Sequence, residues 1–452
     1  MIGMKKAISA LMIIILLLLA AGCAKKTGDQ GGASVPAKKE TPAPSAGPTP
    51  VPTAEPTPDP VKAEAVRIAG EHGLSEDELY GEYGLFIGFS EAVESAPDMG
   101  GYKEFVYRIF PVIADNTEYI DTEHLFKRLA SLRFEEFEIR PGIAGQYRYE
   151  PNVVIINPDR GESDDSQIPS IVFHELMHFV DFSVGGGARP LYLLDGERLT
   201  ADEFLALPPE DQIKAVVLYE AEPVKEGGAE LFTAKYFAGA VRSYFGVSRF
   251  LTGLECIYGE ETLKELFFSG ETDALFAELL FDAGYTEDEY YTAAASLNWL
   301  TDPTANYLPK DYIMPEDILI DLYEHKLGGG WKTDERFLYV LKAINGVAWS
   351  GYEASEHADF LEGIEFGTFR EYEEFESSVY ADLPFKPEVR YLPPAPVIHG
   401  GRFTLAAFAE WTDPDSSKLI HGTIIAEYDF ETGRPVGYEI TDMDGLLKEY
   451  FG

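Results

Sequence analysis

Histidine and cysteine are both scarce in this chain, eight and two residues in 452. The cysteines are Cys23 and Cys256, and if Cys23 is used for another purpose no intramolecular disulfide can form. Cys256, in "LTGLECIYG", has no histidine near it in sequence and reads as a small buried apolar residue. Positive charge is short as well: 36 Lys+Arg against 78 Asp+Glu leave a formal net charge of −42. Such a surface repels phosphate backbones and anionic headgroups, so no nucleic acid is expected as a partner. The acidity itself reads as solubility outside a cell. Long hydrophobic runs are limited to one, "AISALMIIILLLLAAG" from Ala7 to Gly22, which is short for a membrane span. No internal repeat is present. With 45% hydrophobic and 25% charged residues, the remainder has the composition of a globular protein able to bury one large core or two smaller ones.

The apolar run follows Lys5 and Lys6 and ends in "LAAGC", a charged, then apolar, then small-residue order that suits a signal peptide. This end resembles the lipobox of bacterial lipoproteins, although Ala20 stands where the pattern prefers leucine. The resemblance implies lipidation of Cys23 and a cell-envelope, extracytoplasmic location, tethered to the membrane; an uncleaved anchor would leave the same topology. Residues 24–61 follow as a linker, with the Pro/Thr/Ala tract "TPAPSAGPTPVPTAEPTPDP". It has no apolar periodicity and cannot form a core. In polyproline II form, at about 3.1 Å per residue, it would reach on the order of 100 Å.

A globular domain is expected over 62–382 and a β-rich region over 383–452. "SEDELYGEYGLFIGFSEAV", "YKEFVYRIFPVIADN" and "DTEHLFKRLASL" show helical spacing of apolar residues. "RFEEFEIR" from Arg133 and "NVVIINP" from Asn152 read as strands. From about Pro208 to Gly363 most segments read as helices again, "PEDQIKAVVLYEA" and "GGAELFTAKYFAGAVRSYF" among them. Beyond the proline-rich "LPFKPEVRYLPPAPVIHGG", "GRFTLAAFAEW" is expected to be a strand and "HGTIIAEYDFETGRPVGYEI" a hairpin about Thr432-Gly433. "EYEEFE" near Glu371 reads as a solvated helix face, and "DMDG" at Asp442 as a turn, lacking the spaced ligands of a calcium loop.

The chemistry concentrates in "PSIVFHELMHFVDF", from Pro169 to Phe182. Ser170 can cap a helix there, and Gly185 to Gly187 can end it. Positions four apart share a helical face, so His174 and His178 project side by side, as two imidazoles must to bind one zinc ion. Asp181 follows on roughly the same face. Glu175 lies beside the pair, where a carboxylate could take a proton from metal-activated water. Val172, Leu176, Phe179 and Val180 supply apolar surface. The other histidines (72, 124, 325, 357, 399 and 421) have no ligand-like spacing. A catalytic site needs a third protein ligand. The local metzincin pattern is excluded, because Asp181 and Val184 stand where its glycine and last histidine belong. "VKEGGAELFTAKYF" offers Glu226, 48 positions after His178, with Glu222 and Glu230 as alternatives.

H-E-x-x-H followed by an E-x-x-A-E helix resembles the gluzincin peptidases. The long gap is most similar to the anthrax-lethal-factor and Pro-Pro-endopeptidase branch, which carries a tyrosine seven residues before the glutamate, here Tyr219. The likeness spans about Asn152 to Phe237. It implies an α+β fold: a mostly helical, zincin-like metallopeptidase domain, a small sheet before the zinc helix, and here a small C-terminal β appendage. It implies His174, His178 and Glu226 as ligands of Zn2+, Glu175 as general base, and Tyr219 as oxyanion donor. Glu230 and Asp181 would orient ligand histidines. A peptide or protein would be the substrate, and "GQYRYEPNVVIINP" either the rim of its cleft or a buried structural strand. The competing expectation is a surface lipoprotein that binds metal, a solute or a partner without cutting it.

Overall fold

The computed structural model describes residues 59–139, 143–158, 168–182, 190–238, 244–301, 312–334, 338, 397–412, 419–432 and 434–442. The signal segment with Cys23, the linker, the "EYEEFE" run and most of "DMDG" lie outside them. So do the segments on either side of Gly363. No helix among the described residues is long and apolar enough to cross a membrane. The fold is α+β and mostly helical, with small sheets.

Five helices come first: α1 (Pro60–Glu71), α2 (Tyr83–Ser95), α3 (Lys103–Tyr107), α4 (Phe110–Asp115) and α5 (Thr122–Leu129). Capping sets their starts. Asp59 accepts the Val61 N–H (2.9 Å) ahead of Pro60, and Asp121 accepts the His124 N–H (3.0 Å). "YKEFVYRIFPVIADN" divides into α3 and α4 because Pro111 fits only the first turn of a new helix. Phe86, Phe89, Tyr107 and Phe110 are fully buried and pack ring on ring, with Phe86 and Phe110 centroids 4.8 Å apart.

The first sheet has the order β1-β3-β2, with β1 (Arg133–Glu136) parallel and β2 (Gly145–Arg148) antiparallel to β3 (Val153–Ile156). The unbroken apolar run of β3 is buried along its whole length, as a central strand requires. β2 is an edge strand and lies on α6 (Ile168–Phe182). That helix starts two residues before Ser170, so Ser170 sits inside it rather than capping it. Pro169 is accommodated because first-turn N–H groups have no helical partner. Every residue from Val172 to Asp181 is buried.

A second sheet was not legible as such: β5 (Glu197–Leu199), β4 (Pro190–Leu194) and β6 (Val216–Tyr219), in that order. Asp195 and Gly196 both have positive φ, 54° and 81°, the backbone of a tight hairpin turn. The helix expected over "PEDQIKAVVLYEA" is corrected here. Helix α7 (Ala201–Ala206), started by a Thr200/Glu203 capping box, is followed by α8 (Pro209–Gln212), and the apolar remainder pairs with β4 as β6. A short run of valine and leucine suits either state, and an available partner strand decided it.

Helices α9 (Glu222–Thr233), α10 (Phe245–Tyr258), α11 (Glu260–Phe268), α12 (Thr272–Asp282), α13 (Glu287–Thr301) and α14 (Pro315–Leu327) build the rest of the core, where Cys256 is half-buried on α10. The C-terminal strands β7 (Val397–His399), β8 (Arg402–Thr412), β9 (Leu419–Asp429) and β10 (Pro435–Asp442) form one antiparallel meander, with the expected β9–β10 hairpin. Val397 joins the main hydrophobic core, and His399 lies 3.6 Å from Glu260.

Candidate metal centre

Helix α6 buries four polar side chains, His174, Glu175, His178 and Asp181, among Val172, Leu176, Met177, Phe179 and Val180. Each buried apolar side chain is worth about 1.5–3 kcal/mol, and each buried charge costs several kcal/mol unless paired. The partners come from two neighbours, β2 and α9.

Helix α9 packs closely on α10 and α11 because "EGGAE" has no side chain on the face turned toward them. A Cβ on Gly227 would lie 2.7 Å from Val247, and one on Gly228 would lie 2.3 Å from a Phe267 ring carbon. α9 is thus seated against α10 and α11 while its glutamates face α6. Glu226 Oε2 lies 3.4 Å from His174 Nε2 and 3.5 Å from His178 Nε2, and the two Nε2 atoms are 3.2 Å apart. These three donors could hold one metal ion and are the one such His/Cys/Asp/Glu group among the described residues. Behind them, Glu230 Oε2 accepts from His174 Nδ1 at 3.2 Å, which leaves Nε2 facing the cluster. Asp181 lies 3.8 Å from Lys225 Nζ and within electrostatic reach of His178. Glu222, one turn before Glu226, is half-buried near it, and desolvation together with the Glu226 charge pushes its carboxyl up to about 7.

Charges in the group are strongly coupled. Burial works against a charged His174, but Glu226 and Glu230 outweigh it and raise its pKa well above that of an ordinary imidazole. His178 is raised through Glu226 against the same burial. Glu226, despite burial, is held far below the usual carboxylate range by the two histidines. Glu175 is pushed up by burial, against the pull of both histidines.

Glu175 is held from the sheet side. Its Oε2 accepts the Tyr147 N–H of β2 at 2.6 Å. A Cβ on Gly145 would meet Ile171 at 2.7 Å and Glu175 Oε1 at 2.8 Å, so only glycine lets the strand pass this close. Arg128 of α5 fixes the strand through the Tyr147 hydroxyl (2.8 Å) and the Tyr149 carbonyl (2.7 Å).

Tyr219 ends β6 with its side chain 43% exposed, and its carbonyl accepts from Asn298 at 2.9 Å. The phenol that reaches Glu226 is that of Tyr244, whose ring stacks on His174 with centroids 5.5 Å apart and 14° between planes. Sequence reasoning missed Tyr244. Tyrosines are common here, 26 in all, and none of the spacing rules points 18 residues beyond a glutamate. Comparison with protein-family models, curated proteins and solved structures finds no match for this chain.

Proposed function

We propose that the chain is a zinc-dependent peptidase of gluzincin type, anchored to the bacterial cell envelope through lipid on Cys23 and acting on peptide or protein substrates. The observation that carries this reading is the triangle of His174 Nε2, His178 Nε2 and Glu226 Oε2, with sides of 3.2, 3.4 and 3.5 Å. A tetrahedral zinc with bonds of about 2.0–2.1 Å sets its donors about 3.3–3.4 Å apart. Two imidazoles and one carboxylate are also a donor set that suits zinc and leaves one coordination position open.

Zinc bound there supplies Lewis acidity toward water and the scissile carbonyl. The remaining steps belong to the chain's own groups. Glu175, with one oxygen engaged by the Tyr147 N–H, uses the other to take the proton of the attacking water and return it to the leaving amine. Glu230 keeps His174 in one tautomer. By resemblance Tyr219, exposed at the end of β6, would donate to the oxyanion.

The test is Glu175→Gln, with metal content and cleavage of an unbiased peptide library measured on the purified protein. The expected result is one zinc per chain in both proteins, with cleavage reduced about 10²–10⁴-fold in the variant. Equal inertness of both, with zinc bound, would instead favour the partner-binding lipoprotein. Absence of stoichiometric zinc would remove the metal reading altogether.

A further inference from the structure

We infer that Tyr244 is a positioning residue for the metal site, clamping His174 and Glu226, ligands from two different helices, into one geometry before the ion arrives. This rests on the metal reading above. Tyr244 opens α10, its carbonyl accepting the Ser248 N–H at 3.0 Å. Its backbone is left-handed, with φ 47° and ψ 35°. A residue in that conformation at a helix start is ordinarily glycine or a short polar side chain, which relieves the strain or caps the helix. Tyrosine does neither: its side chain makes no capping bond. What it does is lay its ring parallel to His174 and bring its hydroxyl within hydrogen-bonding reach of Glu226. Glu230 restrains His174 from the opposite ring nitrogen. The imidazole is therefore held on its edge by one element and on its face by another. Local strain retained at a residue that touches two candidate ligands is the pattern expected where conformation serves a site.

The experiment uses the full-length protein and two variants, Tyr244→Phe and Tyr244→Gly, with zinc alone as the probe. Zinc affinity is read by competition with a chelator, ligand geometry by the visible spectrum of the cobalt-loaded protein, and stability by thermal unfolding of the metal-free protein. Phenylalanine keeps the stack and loses the hydroxyl; glycine loses both and relieves the backbone. The expected result is a zinc affinity lowered about 10–100-fold in Tyr244→Phe and further in Tyr244→Gly, with altered cobalt spectra. The metal-free Tyr244→Gly protein should unfold no earlier than wild type. A purely structural tyrosine predicts the opposite pair: earlier unfolding with affinity intact. Wild-type zinc binding with both variants equally tight overturns this inference alone, whereas a wild type that takes up no zinc sinks the metal reading and the inference with it.

Discussion

Gly145 shows how much of the site depends on a missing atom. The edge strand reaches the helix closely enough for the Tyr147 N–H to bond Glu175 at 2.6 Å, and it does so where a methyl group would lie 2.7–2.8 Å from Ile171 and the Glu175 carboxylate. Gly145→Ala must therefore move the strand or the carboxylate. Overpacking of this kind costs about 1–3 kcal/mol, more than the roughly 0.5–1 kcal/mol gained by replacing glycine in a strand. The expected outcome is a lowered unfolding temperature and a lower turnover on peptide, with metal content unchanged because none of the three donors is touched. Thermal unfolding, metal analysis and kinetics check it together; unchanged turnover would separate Glu175 from the strand's position.

Among the elements, α14 carries a group that the proposed chemistry does not use. Glu316, in its first turn, is fully buried, and among the described residues neither carboxyl oxygen has a hydrogen-bond partner beyond its own backbone. Burial, the leading cause, pushes its carboxyl from 4.5 up to about 7. A carboxyl whose pKa rises on folding is favourable to the folded state only while protonated. Its contribution is present below about 4.5, falls as pH rises toward 7, and is a penalty above that. Glu316→Gln should therefore stabilise the protein at pH 8, by on the order of 1–3 kcal/mol, and change little at pH 4. Denaturant unfolding at the two pH values measures the difference, and an equal effect at both would refute the buried-charge account.

At the scale of the whole molecule, the proposed ion would join α6 to α9, two helices separated in the chain by the entire second sheet and two short helices. An ion that binds the folded chain and not the unfolded one stabilises it by about 2.7 kcal/mol at a hundredfold excess over its dissociation constant. Chelation should lower the unfolding temperature by a few degrees, and zinc should restore it. The recovery should weaken in acid, since both histidines have raised pKa values without metal and must lose protons to bind it. Calorimetry with and without chelator at two pH values would show this, and a melting temperature indifferent to zinc would leave the two helices joined by packing alone.

Local order along the chain was enough to place His174, Glu175 and His178 on one helix, since positions four apart share a face whatever surrounds them. The same holds for β3, whose β-branched run is buried end to end, and for the β9–β10 hairpin. Spacing could not separate Glu222, Glu226 and Glu230, because all three recur on the same face of α9 at four-residue steps. Packing separated them. With Gly227 and Gly228 seated on α10 and α11, the opposite packing of α9 on α6 sets Glu226 against both Nε2 atoms and Glu230 against the His174 Nδ1. Pairing with β4 likewise made a strand of "VVLY", and the start of α10 delivered Tyr244 from 18 residues beyond Glu226. Periodicity is a property of neighbours in sequence, so it can reveal a face; which groups meet across that face depends on contacts between distant segments, and only the folded chain contains those.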